Sequence, residues 1–131
     1  MKPHSLLIAG LLATLTVPAF AETRTWRGEL VDPAAYLQTG HRGPEQEEAT
    51  YEAVDGGQTL ALLEEGTSTL YLLLAEEPGE DPNELAYDYV NRTVTVTGTL
   101  YERGGLRGLV ATSIAPIEPA ETASAPPTDS N

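Results

Sequence analysis

Apolar and polar residues alternate along short segments of this chain, which is the pattern of half-buried β-strands. The alternation is clearest in residues 93–101, where valine, glycine and leucine occupy every second position and threonines lie between them. Turn residues bound each segment, and Gly104-Gly105 predicts a hairpin between the last two. Five strands are therefore predicted, at residues 25–31, 59–63, 69–74, 93–101 and 106–114.

Two further segments have the features of helices. Residues 44–54 begin with a proline and early acidic residues, which suit a helix N-terminus, and they end before Gly56-Gly57. Residues 82–90 follow Asp81, which can cap a helix, and they begin with a proline. In such a helix Leu85 and Tyr89 are four residues apart, so we expect both to face the core.

The order of these elements is typical of an OB-fold barrel. The expected fold class is mainly β: a five-stranded antiparallel OB-like barrel, with one helix between strands 1 and 2 and another between strands 3 and 4. Gly28 and Gly98 lie inside strands and predict places where a strand bends or two backbones approach closely. An open α+β sandwich is the alternative architecture.

The two ends of the chain do not fit this pattern. A short basic start, an apolar run and small residues before the cleavage point predict a secretory signal peptide at residues 1–21, cleaved after Ala21. Because the apolar run is too short to cross a bilayer, we expect a periplasmic or secreted protein without a membrane anchor. Residues 119–131 hold no large apolar side chain and predict a disordered tail, which leaves residues 22–118 for the folded domain.

Composition restricts the possible chemistry. The 131 residues carry 7 Lys and Arg against 20 Asp and Glu, a formal net charge of −13. Nucleic acids and anionic membranes are therefore not expected as partners, because like charges repel. The absence of cysteine excludes disulfides, thiolate metal sites and cysteine nucleophiles. His41 is the only histidine after the predicted cleavage point, which leaves little material for a transition-metal site or for nucleophile–base catalysis.

Carboxylates cluster in two places, within residues 45–55 and within residues 76–81. Neither cluster has the spacing of a calcium loop, and no acidic residue is placed in an apolar pocket as acid–base catalysis requires. We expect a solvated acidic surface, no catalytic residue, no cofactor and no metal site. A weak divalent-cation site formed by these surface carboxylates is the alternative.

Several segments, taken in their order, resemble a group of small exported bacterial proteins with an OB-like barrel. The likeness spans most of residues 26–114 and includes Gly28-Glu-Leu-Val-Asp32, Ala35-Tyr-Leu37, Leu60-Ala-Leu-Leu63, Leu70-Tyr-Leu-Leu-Leu74 and Val94-Thr-Val-Thr-Gly98. The resemblance implies a β-barrel, an inserted helix and a location outside the cytoplasm.

This chain departs from that group at the positions that would carry chemistry. Proteins of the group have a cysteine, a histidine and two further cysteines in a pattern that suits a metal or redox centre. Here the matching positions are Ala35, Gln46, Ala49 and Ala53. The resemblance therefore implies the scaffold for this chain and not the metal or redox chemistry.

OB barrels bind ligands on the face of their second and third strands, through aromatic and basic side chains. Trp26, Tyr71 and Arg107 are the candidate ligand-binding residues here, with a core position for Trp26 and a place on the barrel wall for Tyr71 as the alternative. The leading hypothesis is an exported, non-catalytic module that binds a small ligand or a periplasmic protein. A structural protein that assembles in the cell envelope is the second hypothesis, and a carboxylate-dependent hydrolase is the third.

Overall fold

The computed structural model describes residues 22–117, in which five strands close into a barrel. The predicted signal peptide at residues 1–21 and the predicted tail at residues 119–131 lie outside the described residues. The strands follow one another around the barrel in the order β1-β2-β3-β5-β4, and β4 pairs with β1 to close it. Their bounds are β1 Glu22–Val31, β2 Ala61–Glu64, β3 Leu70–Leu73, β4 Thr93–Arg103 and β5 Leu106–Pro116.

The barrel is mixed, which corrects the prediction of a fully antiparallel one. Every neighbouring pair of strands is antiparallel except β3 and β5, which run parallel with Leu72 opposite Gly108 and Leu73 opposite Leu109. The reason is geometric. Strands that alternate in direction cannot close a ring of five, because an odd ring must place two strands of the same direction side by side. The parallel pair is therefore required by closure, and it is also the shortest pairing in the barrel.

The predicted alternation is confirmed in β1 and β4. Trp26 and Leu30 in β1, and Val94, Val96 and Leu100 in β4, are buried in the core. The threonines between them lie on the outer face, where two cross-strand pairs of hydroxyls lie within hydrogen-bond distance, at 3.2 and 3.1 Å. Period-two burial therefore fixes which face of each long strand points inward.

The two glycines inside strands lie where backbones approach closely, as predicted. A side chain at Gly28 would overlap the carbonyl of Leu63, and one at Gly98 would overlap the carbonyl of Val110. The register between β4 and β5 shifts between Thr97 and Gly98, which marks a β-bulge. These contacts allow only glycine at both positions without a shift of the backbone.

Two α-helices lie between β1 and β2: α1 Pro33–Thr39 and α2 Glu47–Asp55. A 3₁₀ turn at Pro44–Gln46 leads into α2, so the predicted helix at residues 44–54 is confirmed. The shorter α1 was not predicted. Within residues 22–117, no helix is long and apolar enough to span a membrane.

The segment between β3 and β4 is less helical than the sequence predicts. Turns occupy its first part, and a single 3₁₀ helix follows at Tyr87–Tyr89. Asp81 accepts a hydrogen bond from the Asn83 backbone, as a capping residue would, but the Asn83 side chain is bound to backbone atoms near the start of β2. These tertiary bonds hold the chain in turns. As a result Leu85 is 45% exposed, and the prediction that it faces the core is wrong.

Candidate functional site

Two of the three predicted ligand-binding residues lie inside the barrel. Trp26 is 2% exposed and Tyr71 is 5% exposed, with their ring centroids 5.8 Å apart. Arg107 is exposed on β5 and lines a surface groove that does not include the two aromatic residues. The structure thus brings Trp26 and Tyr71 together as packing partners and places Arg107 elsewhere.

A polar cluster covers the two aromatic rings. The Arg24 guanidinium lies 4.6 Å from the centroid of the Trp26 ring, and its Nη2 donates to the Tyr71 hydroxyl at 3.5 Å. The Tyr71 hydroxyl in turn donates to Glu64 Oε1 at 3.3 Å. Burial and the neighbouring Glu64 carboxylate raise the pKa of Tyr71, while Arg24 opposes the shift. Through its hydrogen bonds the phenol links β1, β2 and β3.

The indole N–H of Trp26 is the one buried side-chain polar atom that lacks a hydrogen-bond partner in residues 22–117. The indole packs against the Tyr71 ring, with the two centroids 5.8 Å apart, and no acceptor meets hydrogen-bond geometry. An unsatisfied buried donor costs about 1–3 kcal/mol. Trp26 and Tyr71 therefore pack together although the indole N–H is left without a hydrogen bond.

A groove with exposed apolar side chains lies on the outer face of β3 and the β4–β5 hairpin. Leu72 is 40% exposed, Tyr101 is 46% exposed and Leu106 is 75% exposed. The groove has a volume of about 410 Å³. Large apolar side chains gathered on a surface mark interaction sites more often than scattered ones do. We call this surface the apolar groove and define it by Leu72, Leu74, Tyr101, Arg103, Leu106 and Arg107.

Backbone geometry shapes the apolar groove. Gly104 and Gly105 both have positive φ, at 61° and 81°, so a tight two-residue turn joins β4 to β5. A side chain at Gly108 would overlap that of Leu74, so the glycine leaves the room that Leu74 occupies. The groove is therefore formed by strand residues and a tight turn.

Charges at the apolar groove are mixed. Arg107 Nε lies 3.7 Å from Glu102 Oε1, and both side chains are about half exposed, so this ion pair adds little stability. Arg103 makes no ion pair within residues 22–117. The groove thus combines an apolar surface with two arginines and one glutamate.

A second recess adjoins the apolar groove at Leu74. It has a volume of about 320 Å³ and lies between the chain after β3 and Val110, Ala111 and Thr112 of β5. Four exposed acidic residues form its outer side: Glu76, Glu80, Asp81 and Glu84. We call this surface the acidic recess.

A buried carboxylate that the sequence did not reveal lies on β1. Glu29 is 6% exposed and accepts hydrogen bonds from the Gly43 backbone at 2.6 Å and from Asn91 Nδ2 at 3.2 Å. Arg42 Nε lies 3.3 Å from its other oxygen, and the Thr50 hydroxyl donates to Asn91 Oδ1. The alternation in β1 places Glu29 on the outer face, where the chain between α1 and α2 and the Asn91 side chain cover it. Its role is to hold that chain against the barrel.

The predicted acidic surface is exposed where the structure describes it. Glu45, Glu48 and Glu52 around α2 are exposed, and so is His41 in the preceding loop. No three histidine or acidic side chains lie close enough to share a metal ion in the described part of the chain.

Comparison with known proteins gave no match to a family model, to a curated protein or to a solved structure. Support for the barrel and its two helices comes from the structure of this protein, and the absence of cysteine comes from its sequence. The resemblance to small exported bacterial proteins remains a prediction from the sequence.

Proposed function

We propose that this protein is an exported binding module without catalytic activity, and that it holds its partner at the apolar groove. The observation that carries the proposal is the gathering of exposed Leu72, Tyr101 and Leu106 on one side of the barrel. A partner that covers these side chains removes apolar surface from water, which favours binding by about 25 cal/mol for each Å².

The residues that could perform acid–base chemistry, His41 and Glu29, lie away from the apolar groove, which supports a binding role for the groove. His41 is exposed in a loop, and both Glu29 oxygens are occupied by internal contacts. Neither residue lines the apolar groove. Burial is the main cause of the raised pKa of Tyr51 and Tyr71, and the nearby Asp55 carboxylate is the main cause of the raised pKa of Tyr87. Only Tyr101 among the six tyrosines lines the groove.

The proposed location and fold family rest on separate arguments. Export to the periplasm is supported by the signal-peptide pattern of residues 1–21, and the N-terminal residue of the protein recovered from the periplasm tests it. The OB-like assignment is supported by a closed barrel of five strands in the order β1-β2-β3-β5-β4. In this proposal the partner is a periplasmic protein, with a free small ligand as the second possibility.

A matched pair of substitutions tests the apolar groove. Leu106 is 75% exposed in the groove, and Leu37 is 73% exposed on α1, so Leu106→Asp and Leu37→Asp make the same change at equal exposure. Two readouts are needed: fluorescence of the neutral apolar dye Nile red on the folded protein, and affinity capture from a native periplasmic extract. Leu106→Asp should lower both signals, and Leu37→Asp should leave both unchanged. Equal behaviour of the two variants would refute the groove as the binding site.

A further inference from the structure

Strand β5 has one edge that is only partly covered. It pairs with β4 from Leu106 to Pro116, but it pairs with β3 only at Gly108 and Leu109. Directly after β3, the Leu74 backbone N–H donates to the Leu109 carbonyl at 2.9 Å, which extends this pairing by one residue. Within residues 22–117, the edge of β5 from 110 to 115 pairs with no other strand.

Of the features that usually protect such an edge, this open edge has a β-bulge but neither a charged residue nor a proline. Its sequence, Val110-Ala-Thr-Ser-Ile-Ala115, has no charged residue and no proline before Pro116. Natural edge strands are commonly blocked by lysine, by proline or by a covering element, because free N–H and C=O groups attract another strand. The bulge opposite Thr97 and Gly98 bends the edge, so a segment that pairs with it must be short.

The acidic recess lies directly beside the open edge. Glu76, Glu80, Asp81 and Glu84 are exposed along its outer side, and none of them makes an ion pair within the described residues. Leu85, which is 45% exposed, adds apolar surface next to Leu74. The recess therefore combines free backbone groups, apolar contacts and uncompensated negative charge.

We propose that a partner protein adds a short extended segment to the open edge of β5, and that this segment carries lysine or arginine alternating with apolar residues. A segment that carries both residue types can set basic groups against the four carboxylates and apolar groups against Leu74 and Leu85, all of which line the recess. This inference rests on the proposed binding function and names the chemical class of its partner.

Charge argues against the two other occupants that the chain itself offers. A second copy carries a formal net charge of −13 and would bring negative charge to an acidic surface. Residues 118–131 of the same chain contain Glu118, Glu121 and Asp129 and no basic residue. A basic segment from another protein fits the recess better than either.

Three synthetic peptides of about six residues, long enough for a short strand, test the inference by fluorescence polarisation with the full chain. The first alternates lysine and valine, the second is the same peptide with every second backbone amide N-methylated, and the third replaces lysine with glutamate. The first should bind. N-methylation should weaken binding by about tenfold or more, equivalent to about 1.4 kcal/mol, because it removes backbone hydrogen bonds and keeps the charge. The glutamate peptide should not bind.

Charge reversal in the protein provides the matched control. Glu80→Lys with Glu84→Lys changes the acidic recess, and Glu45→Lys with Glu52→Lys makes the same change of net charge at exposed positions around α2. The recess variant should lose lysine-peptide binding by about tenfold or more, and the α2 variant should retain most of it. All four positions are exposed, so both variants should fold.

Each remaining outcome counts against the inference. Equal binding of the N-methylated peptide would show charge attraction without strand addition, and equal loss in both charge variants would show attraction to the whole molecule. Concentration-dependent dimers in sedimentation, abolished by the recess variant, would assign the edge to a second copy. If no peptide binds while partner capture still depends on Leu106, the edge inference fails and the proposed function stands. If capture does not depend on Leu106, the proposed function itself fails.

Discussion

Asn91 connects three parts of the structure, and its replacement should destabilise the protein in two separable ways. Its amide donates to the buried Glu29 carboxylate and accepts from the Thr50 hydroxyl, which is 3% exposed. Its backbone has a φ of 56° and donates to the Leu30 carbonyl at 2.7 Å. The side chain thus joins α2 to β1, while the backbone holds a left-handed turn before β4.

The size of each effect follows from these contacts. Asn91→Gly keeps the left-handed backbone but removes both side-chain hydrogen bonds, one of them to a charged group, which costs about 2–4 kcal/mol. Asn91→Ala removes the same bonds and also strains the backbone, because alanine disfavours the left-handed conformation. Glycine loses more chain entropy on folding than alanine does, which offsets part of this difference. The net effect disfavours alanine by about 1 kcal/mol. Asn91→Ala should therefore be the less stable of the two variants.

Ser68 provides the control for the backbone effect. It is the other non-glycine residue with positive φ in residues 22–117, at 55°, and its side chain is exposed. Ser68→Ala and Ser68→Gly should differ by about the same 1 kcal/mol, and neither should carry the loss of buried hydrogen bonds. Urea denaturation at 25 °C gives the free energy of unfolding of all four variants, once two probes have shown one transition. If Asn91→Gly lies within about 0.5 kcal/mol of the native protein, the buried network does not stabilise the fold as argued.

Three further results are expected. Gly98→Ala should lower the free energy of unfolding by about 2–3 kcal/mol, because the new methyl group overlaps the Val110 carbonyl. Gly56→Ala is the control and should not lower it in this way, because a methyl group there makes only ordinary contacts. Urea denaturation measures both variants. The pKa of Tyr71 is raised above 10.0 by burial and then by Glu64, so its contribution to stability is complete below pH 10.0 and is lost as pH rises through the folded-state pKa. Melting curves against pH should show this loss and a shallower one for Tyr71→Phe; identical curves would contradict it. Because 20 acidic residues face 7 basic ones, the melting temperature should rise with NaCl between about 0.01 and 0.5 M, as the screening length falls below the spacing of surface charges, and a flat response would refute self-repulsion.

The elements that the sequence predicted best are those whose burial repeats along the strand. In β4 every second residue from Val94 to Leu100 is buried, so a local pattern reports the tertiary arrangement directly. The helix α1 has local signals of the same kind: Asp32 caps it, a proline follows, and Gly40 ends it with a φ of 75°. These signals do not predict a helix by themselves, because α1 has only seven residues and Asp32-Pro33 also suits the end of a strand.

Other features depend on contacts between distant parts of the chain and leave no local pattern. Glu29 occupies an outward position of β1, and residues distant in the sequence, Arg42, Gly43 and Asn91, cover it. The segment after Asp81 begins as a helix would, but Asn83 is engaged by the backbone near β2, 23 residues earlier in the sequence. Tertiary hydrogen bonds decide the conformation in both cases.

The sequence of strand β3 indicates the apolar groove, because apolar and polar residues do not alternate in it. Residues 70–74 read Leu-Tyr-Leu-Leu-Leu, so both faces of the strand are apolar. Tyr71 and Leu73 point into the core, which sends Leu72 and Leu74 outward. A strand in a small barrel has one face to bury, and apolar residues on the other face must be covered by something else. No element within residues 22–117 covers Leu72, and the exposed Leu106 lies beside it in the same groove. The outer apolar face of β3 is thus not buried by the fold, and we expect a binding partner to cover it.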